Sequence, residues 1–328
     1  MQESKIKLEK IGIVVNPKAG NGIDPEIVKR VIGRLSPRKV YGGPDELGRN
    51  YLKGLKDFKE IFIELEFEPT GKAEDTIRLV ERFNEFDEID LDAVVVFGGD
   101  GTMSDASISK HPLLCIPTGT TNVSPLVFND STTFSVEEIN PARFIIKEMD
   151  GLVVKVDGLN FNAFNDVVVG STILSTVEGK RTHVDAEAFL AGKKIESKPR
   201  KFHARIEIVK GNEILKSIEG TFGNIFVSLT DERYLGKGIT GGAAISTFAG
   251  FKAVVACTNV GMIYGYSKEE LRSVEPFVTN SLSFDEGEKV RIFSDEVISR
   301  DGTPIKRMKY AEVEYRKGLV RVLKLLRG

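Results

Sequence analysis

Gly98-Gly99-Asp100-Gly101-Thr102 sets three glycines around one carboxylate, directly after the apolar run Val94-Val95-Val96-Phe97. Glycines carry no Cβ, so a ligand can lie against the backbone. Amides at the start of a following helix attract anions, and a carboxylate among them can accept a proton or hold a metal. Phosphate donors beside an acid point to nucleotide chemistry, and specifically to phosphoryl transfer. The plainer use of the same residues is a tight turn with Asp100 as a helix cap. No Gly-x-x-x-x-Gly-Lys-Ser/Thr loop is present. Gly-x-Gly-x-x-Gly is missing from the first strand–helix turn, which argues against an ordinary dinucleotide-dependent dehydrogenase.

Such a constellation needs a strand before it and further loops beside it. Lys10 to Val15 reads as a first strand, followed by the loop Asn16-Pro17-Lys18-Ala19-Gly20-Asn21-Gly22. Asp24 and Pro25 then start a helix running to about Leu35. Pro44 to Phe58 reads as helical, Ile61 to Phe67 as extended, and Ala73 to Phe83 as helical. Leu113 to Ile116 is a short buried strand that ends in Pro117-Thr118-Gly119-Thr120-Thr121-Asn122. Alternation of this kind implies a doubly wound parallel sheet, with the three Gly-containing loops on one carboxyl edge. Val136 to Lys147 is expected to be helical. From Leu152 onward, extended runs alternate with turn signals such as Asp157-Gly158 and Lys210-Gly211-Asn212, so the second half is expected to be mainly antiparallel.

Composition narrows the classes. The 328 residues allow two cores, and 46 basic against 48 acidic residues give no field for nucleic acid. No apolar run reaches the roughly 18 residues of a spanning helix. Cys115 and Cys257 sit in apolar, strand-like contexts, so buried free thiols in a reducing, cytoplasmic compartment are expected. His111, His183 and His203 share no metal-ligand or triad spacing, and no Gly-x-Ser-x-Gly elbow marks a hydrolase.

The pentapeptide Gly98 to Thr102 resembles the signature shared by NAD kinases, diacylglycerol kinases and sphingosine kinases, and Val14-Val15-Asn16-Pro17-Lys18-Ala19-Gly20 resembles their first strand and loop. The resemblance implies a Rossmann-like, doubly wound parallel domain (residues 1–148) carrying the phosphate loop. A mainly antiparallel, β-sandwich-like domain (149–328) would complete a nucleotide cleft, its C-terminal segment packing back on the first. Asn162-Ala163-Phe164-Asn165-Asp166 is similar to the segment with which NAD kinases hold base and ribose. Asn165 would then read the base and Asp166 the ribose diol, although an Asn-Asp pair is also common turn material. Pro117 to Asn122 resembles instead the Gly-Thr-x-Asn-Asp loop of lipid kinases, with Val123 in place of the final acid. Lys237 to Ala243 lacks the glycine string of ordinary NAD kinases, and Asp301-Gly302-Thr303 resembles the closing Asp-Gly element of both branches.

The resemblance implies ATP-dependent, or polyphosphate-dependent, phosphorylation of the NAD 2′-hydroxyl. Gly98, Gly99, Gly101 and Thr102 are expected to bind phosphate, completed by Asn16, Lys18, Gly20, Thr118, Gly119, Thr120 and Asn122. Asp100 would act as general base or positioner, or would bind Mg²⁺ directly or through water. A kinase for lipids or small alcohols is the alternative, with Leu126, Val127, Phe128 and Phe134 available to line an acyl groove. A nucleotide sensor without turnover is a third. NAD and ATP are the expected partners, with no nucleic acid, no stable membrane association, and a homodimer or tetramer implied by the resemblance.

Overall fold

The computed structural model describes residues 6–19, 22–72, 74–85, 90–119, 122–177, 180–230, 241–261, 268–273, 275–276 and 278–326. The chain divides into two compact units, 1–149 with 318–328, and 150–317.

In the first unit the order is β1 (Lys10–Val15), α1 (Pro25–Leu35), β2 (Lys39–Gly42), α2 (Arg49–Leu52), α3 (Phe58–Ile61), β3 (Phe62–Glu64), α4 (Glu74–Glu85), β4 (Ala93–Gly98), α5 (Asp100–Ala106) and β5 (Leu113–Pro117). All five strands run parallel in the spatial order β3-β2-β1-β4-β5. β4 and β5 are buried at every residue and β1 from Ile11 onward, which explains their unbroken apolar sequences. Helix α1 is set by its ends and one face. The Asp24 carboxylate accepts the Glu26 amide, Pro25 occupies the first turn, and Val28, Val31, Ile32 and Leu35 are buried at helical spacing.

The strand order reverses between β1 and β4. Chain progress moves outward through β2 and β3 on one side and through β5 on the other, so the loops after β1 and β4 leave the sheet at a topological switch point. Open α/β sheets bind ligands at that crevice.

The second unit is mainly antiparallel. It contains the end of β6 (Phe144–Val156), β7 (Leu159–Ala163), β8 (Asp166–Val169), β9 (Thr172–Val177), β10 (Lys180–Asp185), α6 (Ala186–Leu190), β11 (Phe202–Lys210), β12 (Glu213–Phe222), β13 (Asn224–Leu229), α7 (Gly241–Phe248), β14 (Ala253–Thr258), α8 (Lys268–Ser273), β15 (Thr279–Phe284), β16 (Lys289–Arg300) and most of β17 (Thr303–Leu325). Its strands β15-β14-β13-β8-β16-β17 follow one another, with the β11–β12 hairpin also on β16. Asp157 and Gly158, both at positive φ, make the turn between β6 and β7. The core gathers Leu152, Val154, Val167, Ile206, Ile225, Val255, Ile292 and Val313 among others. Among the described residues, no helix is long and apolar enough to cross a membrane.

Two expected helices are not formed. Val136 to Lys147 is two 3₁₀ turns, Val136–Glu138 and Pro141–Arg143, and then the start of β6. Pro141 has no amide to donate and restricts Asn140, and Phe144-Ile145-Ile146 favours a strand. Pro44 to Phe58 holds one 3₁₀ turn and the four-residue α2, broken by Gly54 at φ 89° and Asp57 at φ 61°.

Candidate active site

The three loops after β1, β4 and β5 are stitched together by short hydrogen bonds. At the end of β1, the Asn16 amide donates to the Phe97 carbonyl (3.1 Å) and its side-chain Nδ2 donates to Thr102 Oγ1 (2.8 Å). Asn16 Oδ1 accepts the Lys18 amide at 3.0 Å, which folds the loop back on itself. At the end of β5, the Thr118 amide donates to the Gly98 carbonyl at 3.0 Å. The residues Asn16, Gly98, Thr102 and Thr118 are therefore neighbours, as the parallel sheet requires.

Glycine is needed here for two distinct reasons. A Cβ on Gly98 would lie 2.5 Å from Thr102 Cβ, so the buried Thr102 side chain occupies that space. A Cβ on Gly119 would lie 2.6 Å from Gly99 Cα and 2.9 Å from Asn122 Oδ1, so the second and third loops meet backbone to backbone. Gly99, by contrast, has room for a methyl group: its nearest neighbour would be Gly119 Cα at 3.4 Å. It precedes α5 without any side-chain cap on that helix.

Asp100, the first residue of α5, has a carboxylate fixed from the third loop. Oδ2 accepts the Val123 amide (3.0 Å) and Oδ1 accepts the Ser124 amide (2.9 Å). These two bonds orient the carboxylate at the edge where the glycine loops meet. Asn122, at φ 47°, is 7% exposed; its Nδ2 donates to the carbonyls of Gly119 (2.7 Å) and Thr132 (3.1 Å). Among the described residues, its Oδ1 and the hydroxyl of Thr118 are buried without a hydrogen-bond partner. Buried polar atoms are rarely left so, and at a crevice they are places for a ligand or water.

Lys18 is exposed at the loop, its ammonium donating to the Gly71 carbonyl at 2.6 Å. Gly101 lies in the first turn of α5. Gly20 and Thr120 lie outside the described residues, as do Lys237 to Thr240 of the glycine-containing stretch; Gly241 to Ala243 begin α7.

In the second unit, Asn165 and Asp166 form the turn into β8. The Asp301 carboxylate accepts the amides of Phe164 (3.0 Å), Asn165 (2.7 Å) and Asp166 (3.2 Å), and the Asp301 amide donates to the Asp166 carbonyl at 3.0 Å. Asn165 is 7% exposed, and its Oδ1 has no hydrogen-bond partner among the described residues. The Asp301-Gly302 turn thus has a second task, holding Asn165 and Asp166 in place. Asp301 and Gly302 are both at positive φ; the sequence offered a turn or the family's closing Asp-Gly element, without showing which amides the carboxylate holds.

Leu126, Val127 and Phe128 are fully buried, with Phe128 edge-on to Phe134 and Phe144 at 6.2 Å, so they form core and not an acyl groove. Both cysteines are free and buried. Burial pushes the Cys115 thiol up to about 12 against the opposing charge of Lys324, and burial likewise pushes Cys257 up to about 12. Neither is a nucleophile near neutral pH.

Sequence comparison matches residues 10–142 to the diacylglycerol kinase catalytic domain. An uncharacterized protein of Archaeoglobus fulgidus is 46% identical over 321 residues, covering 96% of this chain and 98% of that one. Among solved structures, a Bacillus anthracis str. Sterne protein assigned as a diacylglycerol kinase superposes with a TM-score of 0.56 at 14% identity, covering 97% and 98% of the two chains. The yeast NADH kinase complexed with NADH gives 0.51 at 16% identity, covering 98% of this chain and 84% of that one. At such identities the two structures speak for the fold.

Proposed function

This chain belongs to the superfamily of diacylglycerol kinases and NAD kinases, and from that premise we propose that it phosphorylates the 2′-hydroxyl of the adenosine ribose of NAD to give NADP. It is a kinase; the acceptor is the proposed part. The observation that carries the chemistry is Asp100, held by two backbone amides at the switch-point edge beside the glycine loops. The observation that favours a dinucleotide is Asn165, whose buried Oδ1, without a partner among the described residues, suits the exocyclic amine of a base. Asp166, the next residue, is assigned the ribose diol.

In this reading the amides of Gly98, Gly99 and Gly101 and the hydroxyls of Thr102 and Thr118 receive the phosphates, with Asn16 and Asn122 shaping their loops. Asp100 accepts the proton of the 2′-hydroxyl as that oxygen bonds to the γ-phosphorus. The bond from the γ-phosphorus to the bridging oxygen breaks, and ADP leaves with its electron pair. Alignment and charge neutralisation supply most of the rate in such transfers. Mg²⁺ in phosphoryl-transfer sites is held by one or two carboxylates, water and substrate phosphates. Asp100 would be the residue to hold that cation, directly or through water, as the alternative to accepting the proton, and the cation would offset the charge of the phosphate oxygens.

A second reading, a diacylglycerol-type lipid kinase, is favoured by the match over residues 10–142. One experiment separates the two. Purified protein is incubated with Mg²⁺, ATP or polyphosphate, and NAD, and NADP is read out with an NADP-specific dehydrogenase; a parallel arm offers labelled ATP and diacylglycerol vesicles. NADP formation is expected, falling by about two orders of magnitude or more in Asp100→Asn. Label in lipid without NADP overturns the NAD assignment, and full turnover in Asp100→Asn removes that residue from the mechanism.

A further inference from the structure

Among the described residues of the first unit, Lys324 is the most deeply buried lysine: 3% exposed, in the apolar run Val322-Leu323-Lys324-Leu325 at the end of β17. That segment lies beside β5, with Val322 opposite Leu113. The Lys324 ammonium donates to the carbonyls of Pro125 and Val127 and to the carboxylate of Asp130. An ammonium has three N–H groups, and these three acceptors match them. A buried charge is expensive unless paired and hydrogen-bonded, so a site that supplies all three acceptors is a built one.

The acceptors all lie on one short segment, and that segment begins where Asp100 is held. The Val123 and Ser124 amides orient the Asp100 carboxylate; Pro125 follows at once. Ser124 ties the turn internally, its hydroxyl accepting the Leu126 amide (3.2 Å) and its carbonyl the Val127 amide (3.3 Å). The far side is anchored by backbone bonds from Phe128 to the Cys115 carbonyl (3.2 Å) and from Leu325 to the Phe128 carbonyl (2.8 Å). Apolar packing alone holds such a turn only through side chains; the ammonium grips its carbonyls, which fixes the direction of the peptide planes next to Ser124.

We propose that Lys324 is a positioning residue for phosphoryl transfer. It touches no substrate. It holds the 125–130 turn, and through the Val123 and Ser124 amides it sets the orientation of the Asp100 carboxylate. The inference rests on Asp100 acting on the acceptor hydroxyl.

Lys324→Met keeps an apolar stem of similar length and removes the ammonium. The expected result is a fall in kcat of about ten-fold or more, with KM for ATP and NAD within about two-fold, the pattern of an interaction expressed in the transition state. In an Asp100→Asn background the same change should cost nothing further, because the two act as one unit. Amide hydrogen exchange should rise at Val123 and Ser124 while the amides of β4 and β5 stay protected. A variant that loses thermal stability but keeps kcat within about two-fold of wild type, or whose loss multiplies with that of Asp100→Asn, makes Lys324 a structural anchor only and overturns the proposal. If Lys324→Met does not fold, Asp130→Gly removes one of the three acceptors at a residue whose positive φ glycine tolerates; it should lower kcat and raise exchange at the same two amides, and no change in either overturns it. If the wild-type protein makes no NADP, the acceptor assignment has failed, and exchange at Val123 and Ser124 still decides whether Lys324 holds them.

Discussion

Two glycines of the site can be told apart by what a methyl group would meet. At Gly119 it would press on the Gly99 backbone at 2.6 Å, which cannot yield without moving a loop. At Gly99 it would make ordinary contact at 3.4 Å, in a backbone conformation that any residue adopts. Gly119→Ala should therefore lower both stability, by about 1–3 kcal/mol, and turnover. Gly99→Ala should leave Tm unchanged while raising KM for ATP, since the only thing excluded is a phosphate against the backbone. Thermal melts and steady-state kinetics on both variants check this, and an unchanged KM for Gly99→Ala would move the phosphate site away from that residue. These glycines and Asp100 were visible in sequence because their pattern is local. Asp301 stood out only as part of a family-like Asp-Gly element, and neither its partners nor those of Lys324 could be read: they lie far along the chain, and a lysine in an apolar run says that a partner exists without saying which.

Among the elements, α4 carries a buried acid in its first turn. Asp75 is 2% exposed, and its carboxylate accepts the amides of Thr70 (2.9 Å) and Gly71 (2.8 Å) and the Thr70 hydroxyl (2.8 Å). Burial alone would push its carboxyl up; the Thr70 and Gly71 hydrogen bonds and the Arg78 charge outweigh that and hold it below its ordinary 3.8. A lowered folded value means that the carboxylate stabilises the protein above pH 3.8 and that this contribution is lost as pH falls through the lowered value. Asp75→Asn should melt below wild type at neutral pH, with the gap closing in acid; a gap independent of pH would exclude linkage. The strands β1, β4 and β5 and helices α1 and α4 were legible because burial is one-sided or complete and the sequence period shows it. The β6 start looks helical in sequence because Val136, Ile139 and Phe144 suit a helical face, and Pro141 overrules that spacing. The 23-residue β17 is hard to read because buried residues alternate with exposed Arg, Lys and Tyr along most of its length, and the apolar residues gather only at its end.

For the whole molecule, the parallel sheet of the first unit is completed from the far end of the chain. Residues 318–328 belong with 1–149, the last strand lying beside β5. A chain ending at Lys317 should lose hydrogen-exchange protection in β4 and β5 and all turnover, while the core of the second unit around Ile206, Ile292 and Val313 keeps its protection. Uniform loss throughout would mean the two units do not hold separate stabilities.

That return of the chain also sets a time order. Lys324 reaches back across 199 residues to the Pro125 carbonyl. At about 5–20 residues per second, synthesis of that stretch takes about 10–40 s. Through all of it the turn beside Asp100 lacks its ammonium. A product cut short before Lys324 is thus released in the state that Lys324→Met is expected to mimic, with the turn beside Asp100 held by fewer bonds.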